Sequence, residues 1–211
     1  MVPAYEEEVR QSFDRILREA EDFFVRGGRI HQALRDLTRR LDEAGIPYAL
    51  LGALALAEHG LARLALNIDL LLTAKGLAEF RALYLGRGYA AAFPGAKKSF
   101  RDASTGVRIE VITTGEYPGD GLPKPVCFPD PSEAAVDVGG IRVVTLERLV
   151  ELKLASGMTA AHRRRDLSDV QDLIRARRLP AAFGERLDRS VRAMFTQLWH
   201  EAQVQDPIQE E

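Results

Sequence analysis

A run of apolar residues near the middle of the chain, Leu66–Leu72, carries polar side chains at alternate positions. Successive side chains of a β-strand point to opposite faces, so Asn67 and Asp69 would share one face. Ile68 and Leu70 would share the other face and lie in a core. An acidic residue in such a strand costs free energy unless it is paired or binds a cation. Asp69 is therefore the first candidate functional residue.

A second apolar run, Val107–Ile112, repeats this design with Glu110 as its acidic residue. Two strands that bring carboxylates to one face of a sheet form a site for a hard cation such as Mg²⁺. Such cations commonly accompany the phosphates of a nucleotide. The two runs together predict a pair of strands with a shared acidic face.

Apolar residues at helical spacing predict helices, and short apolar runs between turn residues predict further strands. The helices are expected at about 5–26, 29–44, 53–59, 75–87, 146–156, 160–177 and 181–203. The further strands are expected at about 46–51, 89–93, 97–102, 135–138 and 141–144, the last two joined by a Gly139-Gly140 hairpin. Thr145 is expected to cap the helix after it. The helix at 75–87 is expected to bury Leu77, Phe80, Leu83 and Tyr84.

The predicted strands fall between about 46 and 144, with helices before and after them. This order predicts an α/β (or α+β) fold: a mixed sheet of four to six strands with helices on its outer face. The expected division is an N-terminal helix at 1–27, an α/β core at 28–144, a C-terminal helical lobe at 145–205 and a disordered tail at 206–211. The segment 115–131, rich in proline and glycine, is expected to be a long loop, either a lid over a substrate or a plain connection.

The composition is that of a globular protein, with 46% hydrophobic and 28% charged residues among 211. A net charge of −2 gives no support for non-specific nucleic-acid binding by the chain as a whole. Cys127 is the one cysteine, so no intrachain disulfide can form and a cytoplasmic location is expected. No apolar run reaches the roughly 20 residues of a membrane span, so no membrane partner is expected.

A glycine turn, a polar strand and an acidic strand follow one another in the chain: Leu51-Gly52-Ala53, then Asn67-Ile68-Asp69, then Ile109-Glu110-Val111. This order resembles the nucleotidyltransferase superfamily with the polymerase-β-like fold. The family pattern is Gly-Gly or Gly-Ser, then Asp-x-Asp or Asp-x-Glu, then a third carboxylate on a neighbouring strand. The segment 48–63 is similar to bacterial stand-alone members, including AbiEii-type toxin and aminoglycoside nucleotidyltransferases. The resemblance covers about 28–175.

The resemblance implies a fold with a mixed-sheet nucleotidyltransferase core, and Mg²⁺-dependent or Mn²⁺-dependent transfer of a nucleoside monophosphate. The donor would be a nucleoside triphosphate and the acceptor a hydroxyl on RNA, a protein or a small molecule. Asp69, Glu110 and Asn67 would be the metal-binding and catalytic residues. Gly52 and Ala53 would form the turn that lets backbone N–H groups approach the phosphates.

Three departures from the family pattern point to a degraded or repurposed site. Asn67 stands where the first carboxylate is expected, and an amide oxygen can bind a cation but brings no charge. Ala53 lacks the hydroxyl of the usual serine, and the residues before Asn67 include no threonine. Two interpretations therefore stay open: an active transferase, or a pseudoenzyme used for nucleotide or protein binding. A toxin–antitoxin role follows only from the resemblance.

The C-terminal helices also resemble those of the toxin-like relatives, in which a lysine and an aspartate handle the nucleotide. Lys153 matches the lysine, and Asp166 or Asp169 matches the aspartate. Lys153 is as consistent with a side chain that extends from a packed helix to solvent. The sequence does not choose between the two aspartates.

Arginines supply the remaining candidates for phosphate contacts. Arg63 precedes the Asp69 strand and could meet a triphosphate, or could be a surface arginine. The run Arg163-Arg164-Arg165 could contact phosphate or RNA, although a solvated helix face is the commoner arrangement. His59 is expected to be a helix-end residue. Oligomeric state stays open.

Overall fold

The computed structural model describes residues 28–204, so the predicted helix at 5–26 and the tail at 206–211 lie outside the described residues. The α-helices are α1 Arg29–Glu43, α2 Gly52–Glu58, α3 Ala74–Tyr84, α4 Pro131–Ala134, α5 Leu146–Thr159, α6 Arg165–Arg177 and α7 Arg192–Gln203. The strands are β1 Tyr48–Leu50, β2 Asn67–Leu72, β3 Tyr89–Ala91, β4 Ser99–Asp102, β5 Arg108–Thr113, β6 Ala135–Val138 and β7 Ile141–Val144. Short 3₁₀ helices cover Ala161–Arg163 and Ala181–Arg186.

One mixed sheet in the order β3-β4-β5-β2-β1-β7-β6 forms the framework of the described chain. The pairs β2–β5 and β1–β7 are parallel, and the other neighbours are antiparallel. The α/β prediction is confirmed, but the expectation of at most six strands is wrong. The seventh strand arises because the predicted hairpin at 135–144 joins this same sheet, where Val143 pairs with Leu50.

The centre of the sheet is fully apolar on one face. Ile68 and Leu70 of β2 and Ile109 of β5 have no exposed surface, as the alternation of the sequence predicted. Helix α1 packs on the sheet through Leu34, Leu37 and Leu41, which recur at helical spacing. The opposite positions of β2 and β5 are thereby left to carry the polar residues that the buried face cannot accept.

The helices after residue 145 pack against each other and against the sheet. Helices α5 and α6 approach closely at Gly157, where a Cβ would lie 2.6 Å from the Leu167 side chain. Leu173 and Phe195 are completely buried in the same continuous core. Thr145 caps α5 as predicted, since its side chain accepts from the Arg148 backbone N–H. No helix of the described residues is long and apolar enough to cross a membrane.

Two details of the sequence prediction are wrong. Leu83 is 44% exposed, because Phe80 and Tyr84, four residues apart and in ring contact, occupy the side of α3 that faces the core. The predicted helix at 181–203 is interrupted between Arg186 and Arg192. The interruption follows from Asp188, whose backbone N–H donates to buried Glu151 and whose side chain accepts from Ser190, so this turn replaces helical hydrogen bonds.

Candidate functional site

The two acidic strand residues lie side by side. Strands β2 and β5 are parallel and in a register that pairs Asp69 with Glu110 and Asn67 with Arg108. Paired residues of neighbouring strands project to the same face, so these four side chains form one polar patch. The sheet therefore brings together the three residues that the sequence suggested as metal ligands, and adds an arginine.

Gly52 forms the floor beneath Asp69, at the point where β1 turns into α2. Its φ of +61° lies in the region that glycine adopts readily. A Cβ at this position would lie 1.9 Å from Asp69 Oδ2. The Leu51 backbone N–H also donates to the Asp69 carbonyl oxygen at 2.9 Å, which fixes the turn to the strand. Close approach of Asp69 to the backbone thus requires glycine here.

The environment of Asp69 contains groups that favour the ionised form of its carboxylate and others that disfavour it. Burial raises the pKa of Asp69 above its usual value. The Asn67 amide lowers it by donating to Oδ1 at 2.6 Å, while the charge of Glu110 raises it. The positive charge of Lys153 acts in the lowering direction. The net upward direction means that the ionised carboxylate lacks full compensation, as expected where a positively charged ligand binds.

Glu110 has two protein partners. Its Oε1 accepts from Ser99 Oγ at 2.9 Å and forms an ion pair with Arg108 Nε. Arg108 Nε also donates to Ser99 Oγ at 3.1 Å. The sequence reasoning missed Arg108, although its position two residues before Glu110 on the same strand was a signal that it shares the acidic face.

Lys153 extends from α5 to two aspartates of α6. Its Nζ lies 2.9 Å from Asp166 Oδ1 and 2.8 Å from Asp169 Oδ2. Ser156 Oγ donates to the other oxygen of Asp166 at 2.7 Å. The side chain of Lys153 is 11% exposed, so it is an embedded ion pair rather than a chain reaching for solvent. Asp166 and Asp169 both bind the lysine because residues three apart share a helix face.

Arg63 joins this cluster from the segment before β2. Its guanidinium lies 3.1 Å from Asp169 Oδ1 and 2.5 Å from Asp172 Oδ2. Asp169 is thus shared by Lys153 and Arg63 and is buried. Arg63 is not among the residues that line the neighbouring cavity, so its contacts are with the helix rather than with a ligand space.

A cavity of about 320 Å³ lies between the Asp69 side of the sheet and helices α5 and α6. Asp69 and Gly52 line it on the sheet side, and Lys153, Ser156, Asp166 and Arg163 on the helical side. Apolar residues complete the wall: Leu51, Ile112, Leu149 and Leu152. Its size is within the range of small-molecule sites.

The long loop at 115–131 closes another side of this cavity. It contributes Glu116, Tyr117, Pro118, Gly119 and Phe128. Gly119 has a φ of +77° and packs on α5, where a Cβ would lie 2.3 Å from Thr159 Oγ1. The predicted long loop is therefore a wall of the cavity that is docked on α5.

Several predicted site residues lie outside the cavity lining: Asn67, Glu110, Ala53, Arg63 and Asp169. Asn67 and Glu110 are nevertheless beside Asp69 on the sheet. All three arginines of the run are exposed, and of these Arg163 lines the cavity. His59 is buried, with Nε2 2.7 Å from the Val144 carbonyl oxygen, in keeping with the helix-end interpretation. Residues 28–204 hold no group of three or more His, Cys, Asp or Glu arranged to bind a metal.

No protein-family model matches this chain, and no curated protein matches it in sequence. Several solved structures are similar at low identity. A Thermotoga maritima candidate nucleotidyltransferase is 21% identical, with 65% of this chain and 92% of that chain covered and a TM-score of 0.45. ANT(2″)-Ia in complex with adenylyl-2″-tobramycin is 14% identical, with 74% and 91% covered and a TM-score of 0.47. A candidate nucleotidyltransferase from Helicobacter pylori is 15% identical, with 90% and 93% covered and a TM-score of 0.45. Similarity at this level leaves function to be inferred from the chain's own residues.

Proposed function

We propose that this chain is a nucleotidyltransferase-like protein that transfers a nucleoside monophosphate from a nucleoside triphosphate to a hydroxyl acceptor. The observation that carries the proposal is the register pairing of Asp69 and Glu110, with Asp69 over Gly52 at the edge of a cavity. Carboxylates on one side and Lys153 and Arg163 on the other suit a bound triphosphate with its counter-ion. The motif order of the sequence supports the same function.

The cavity suits the phosphates and the body of a nucleotide. Arg163 offers positive charge on the helical wall, where Lys153 lies paired with Asp166 and Asp169. Asp166 and Asp169 hold Lys153 in place, so little of its rotamer freedom remains to be lost on binding. The role of the two aspartates in this proposal is to fix the lysine, with Asp166 facing the cavity.

The donor set fits one hard cation. Mg²⁺ keeps several waters and is commonly bound by one or two protein carboxylates together with substrate phosphates. Asp69 and Glu110 would hold the ion, with the Asn67 amide oxygen as a neutral third donor. When bound, such an ion polarises a phosphoryl oxygen and orients the phosphate for attack by the acceptor. The protein residues position the reacting groups: Gly52 leaves space for the close approach of the carboxylate to the backbone, and Lys153 and Arg163 hold the phosphates.

The test is a calorimetric titration with each nucleoside triphosphate, with and without Mg²⁺. Binding should require Mg²⁺ and should disappear in Asp69→Asn. Asp137→Asn is the control, because Asp137 is an exposed strand carboxylate on β6 at one edge of the sheet. If Asp69→Asn bound every triphosphate as tightly as the natural chain does, the assignment would be refuted. If a triphosphate binds, a measurement of pyrophosphate release in the presence of candidate acceptors distinguishes transfer from binding alone.

A second candidate function is nucleotide or protein binding without transfer, and two contacts favour it. Asn67 points its amide N–H at Asp69, and Arg108 pairs with Glu110, so both carboxylates have protein partners. Asn67→Asp distinguishes the two functions. If that variant releases pyrophosphate and the natural chain does not, the scaffold is intact and the natural protein is a pseudoenzyme. Activity of the natural chain excludes this alternative.

A further inference from the structure

Arg108 brings a positive charge to the level of the sheet where the family pattern predicts a carboxylate and this chain has a neutral residue. Arg108 on β5 is the register partner of Asn67 on β2, at the same level of the sheet. A carboxylate is expected at position 67 from the motif order, and the sheet instead has a neutral amide beside a guanidinium. This inference rests on the proposed function and adds to it the number of cations at the site.

The charges of the two arrangements can be compared directly. The family pattern, with three carboxylates, implies a site for two divalent cations, and that arrangement carries a formal charge of plus one. Two carboxylates, one guanidinium and a single divalent cation also carry plus one. The replacement of a carboxylate by Asn67 and the presence of Arg108 together remove the negative charge that a second divalent ion would balance.

Arg108 shares the polar face with Asp69 and Glu110, although it is not among the residues that line the cavity. Both of its contacts use Nε, to Ser99 Oγ and to Glu110 Oε1. Its Nη groups have no hydrogen-bond partner among residues 28–204, and its side chain is 48% exposed. A guanidinium with free Nη donors is suited to phosphate oxygens. Both partners of Glu110 reach Oε1, which leaves Oε2 available to a cation within the described part of the chain.

We propose that Arg108 is a fixed positive charge in place of a second divalent cation, so that the site binds one metal ion with the nucleotide's phosphates. Ser99 sets the direction of the guanidinium, because its hydroxyl contacts both Arg108 and Glu110. Asn67, which brings no charge of its own, leaves room for this arrangement on the same face of the sheet.

The experiment counts bound Mn²⁺ by electron paramagnetic resonance. Mn²⁺ is added together with the α,β-methylene analogue of whichever triphosphate binds in the titration above. The natural chain should hold one Mn²⁺ per chain, and the double variant Asn67→Asp with Arg108→Gln should hold two. Two ions in the natural chain, or one in the double variant, would overturn the proposal while nucleotide binding stands. No ion with bound nucleotide would also overturn it, and no nucleotide binding at all would refute the proposed function as well.

Single substitutions of Arg108 give a second readout. Arg108→Gln should weaken binding of the analogue about tenfold, and Arg108→Lys should restore part of that loss. The matched control is Arg101→Gln, since Arg101 pairs with Arg108 on the next strand and donates to the Gly106 carbonyl oxygen. Unchanged or tighter binding by Arg108→Gln would show that Arg108 only restrains Glu110, and would overturn the proposal.

Discussion

Two clusters of charge border the cavity, and they differ in how completely their charges are paired. On the helical side, Lys153 contacts Asp166 and Asp169, and Asp169 also contacts Arg63. On the sheet side, Asp69 has an amide for its partner, and burial raises its pKa. In the helical cluster the buried charges have opposite charges within the protein. In the sheet cluster the buried charge of Asp69 is left for a ligand to compensate.

This difference in pairing predicts different roles: the helical cluster stabilises the fold, and the sheet cluster binds a ligand. A buried ion that is paired on all sides contributes to the native structure, and removal of one partner is costly. A buried ion that lacks a counter-charge costs stability and is retained where a ligand supplies the missing charge. We therefore expect substitutions in the helical cluster to lower stability, and substitutions at Asp69 to remove binding with little change in stability.

The largest effect is expected for Asp169→Ala. Asp169 is 5% exposed and shared by Lys153 and Arg63, so its truncation leaves two cations with one partner each. The expected loss in the free energy of unfolding is about 3 kcal/mol, measured by urea denaturation. Asp172→Ala is the control, because Asp172 contacts the same Arg63 at a more exposed position. That variant should lose less than about 1 kcal/mol, and equal losses would contradict the distinction.

Gly52→Ala is expected to have the next largest effect. A Cβ at Gly52 would lie 1.9 Å from Asp69 Oδ2, and φ is +61°. We expect a loss of about 2 kcal/mol in urea denaturation, together with loss of Mg²⁺-dependent nucleotide binding, because Asp69 must move. Gly45 has a similar φ of +65° with nothing within 4 Å of its would-be Cβ. Gly45→Ala should therefore cost roughly 1 kcal/mol and leave binding intact.

The sheet side of the site could be predicted from local patterns in the sequence. Alternation alone placed Asp69 and Glu110 on the faces of their strands opposite the core, and their pairing across the sheet is observed. The hairpin at Gly139-Gly140 was predictable for the same reason, since short-range turn chemistry fixes it. What alternation cannot give is the register between β2 and β5, and so the pairing of Asn67 with Arg108 was missed.

The helical side was less predictable because its contacts join distant segments. Asp166 and Asp169 are three residues apart on one helix face, so periodicity cannot choose between them. The structure assigns both to Lys153 and only Asp169 to Arg63. The break in the helix at 181–203 depends on Glu151, a residue 37 positions earlier that accepts from the Asp188 N–H. Local propensity carries no information about that contact.

Asp102, the last residue of β4, offers a comparison within the same sheet. Burial acts to raise its pKa, but hydrogen bonds from the backbones and side chains of Ser104 and Thr105 outweigh it, and the pKa is lowered. A lowered folded-state pKa contributes stability above the unfolded pKa of about 3.9, and that stability is lost as pH falls through the folded pKa. Asp102→Asn should cost about 1 kcal/mol at neutral pH and reduce the acid dependence of unfolding in urea.

If Asp102→Asn left the acid dependence of unfolding unchanged, the hydrogen bonds at this turn would not be what lowers its pKa. The control is Asp137→Asn, which removes an exposed carboxylate that accepts one backbone N–H, from Gly140. Its unfolding free energy should change by less than about 0.5 kcal/mol across the same pH range.

The smallest change in stability is expected for Asp69→Asn, and its sign is the sharpest test of the comparison. Because burial raises the pKa of Asp69, its ionised form is disfavoured in the folded state at neutral pH, and a neutral isostere removes that cost. The amide oxygen can still accept from Asn67 Nδ2. Thermal denaturation without ligand should show a small gain in stability, whereas Mg²⁺-dependent nucleotide binding should be lost. A clear loss of stability would place Asp69 with Asp169 among the structural charges, and the two sides of the cavity would then no longer differ.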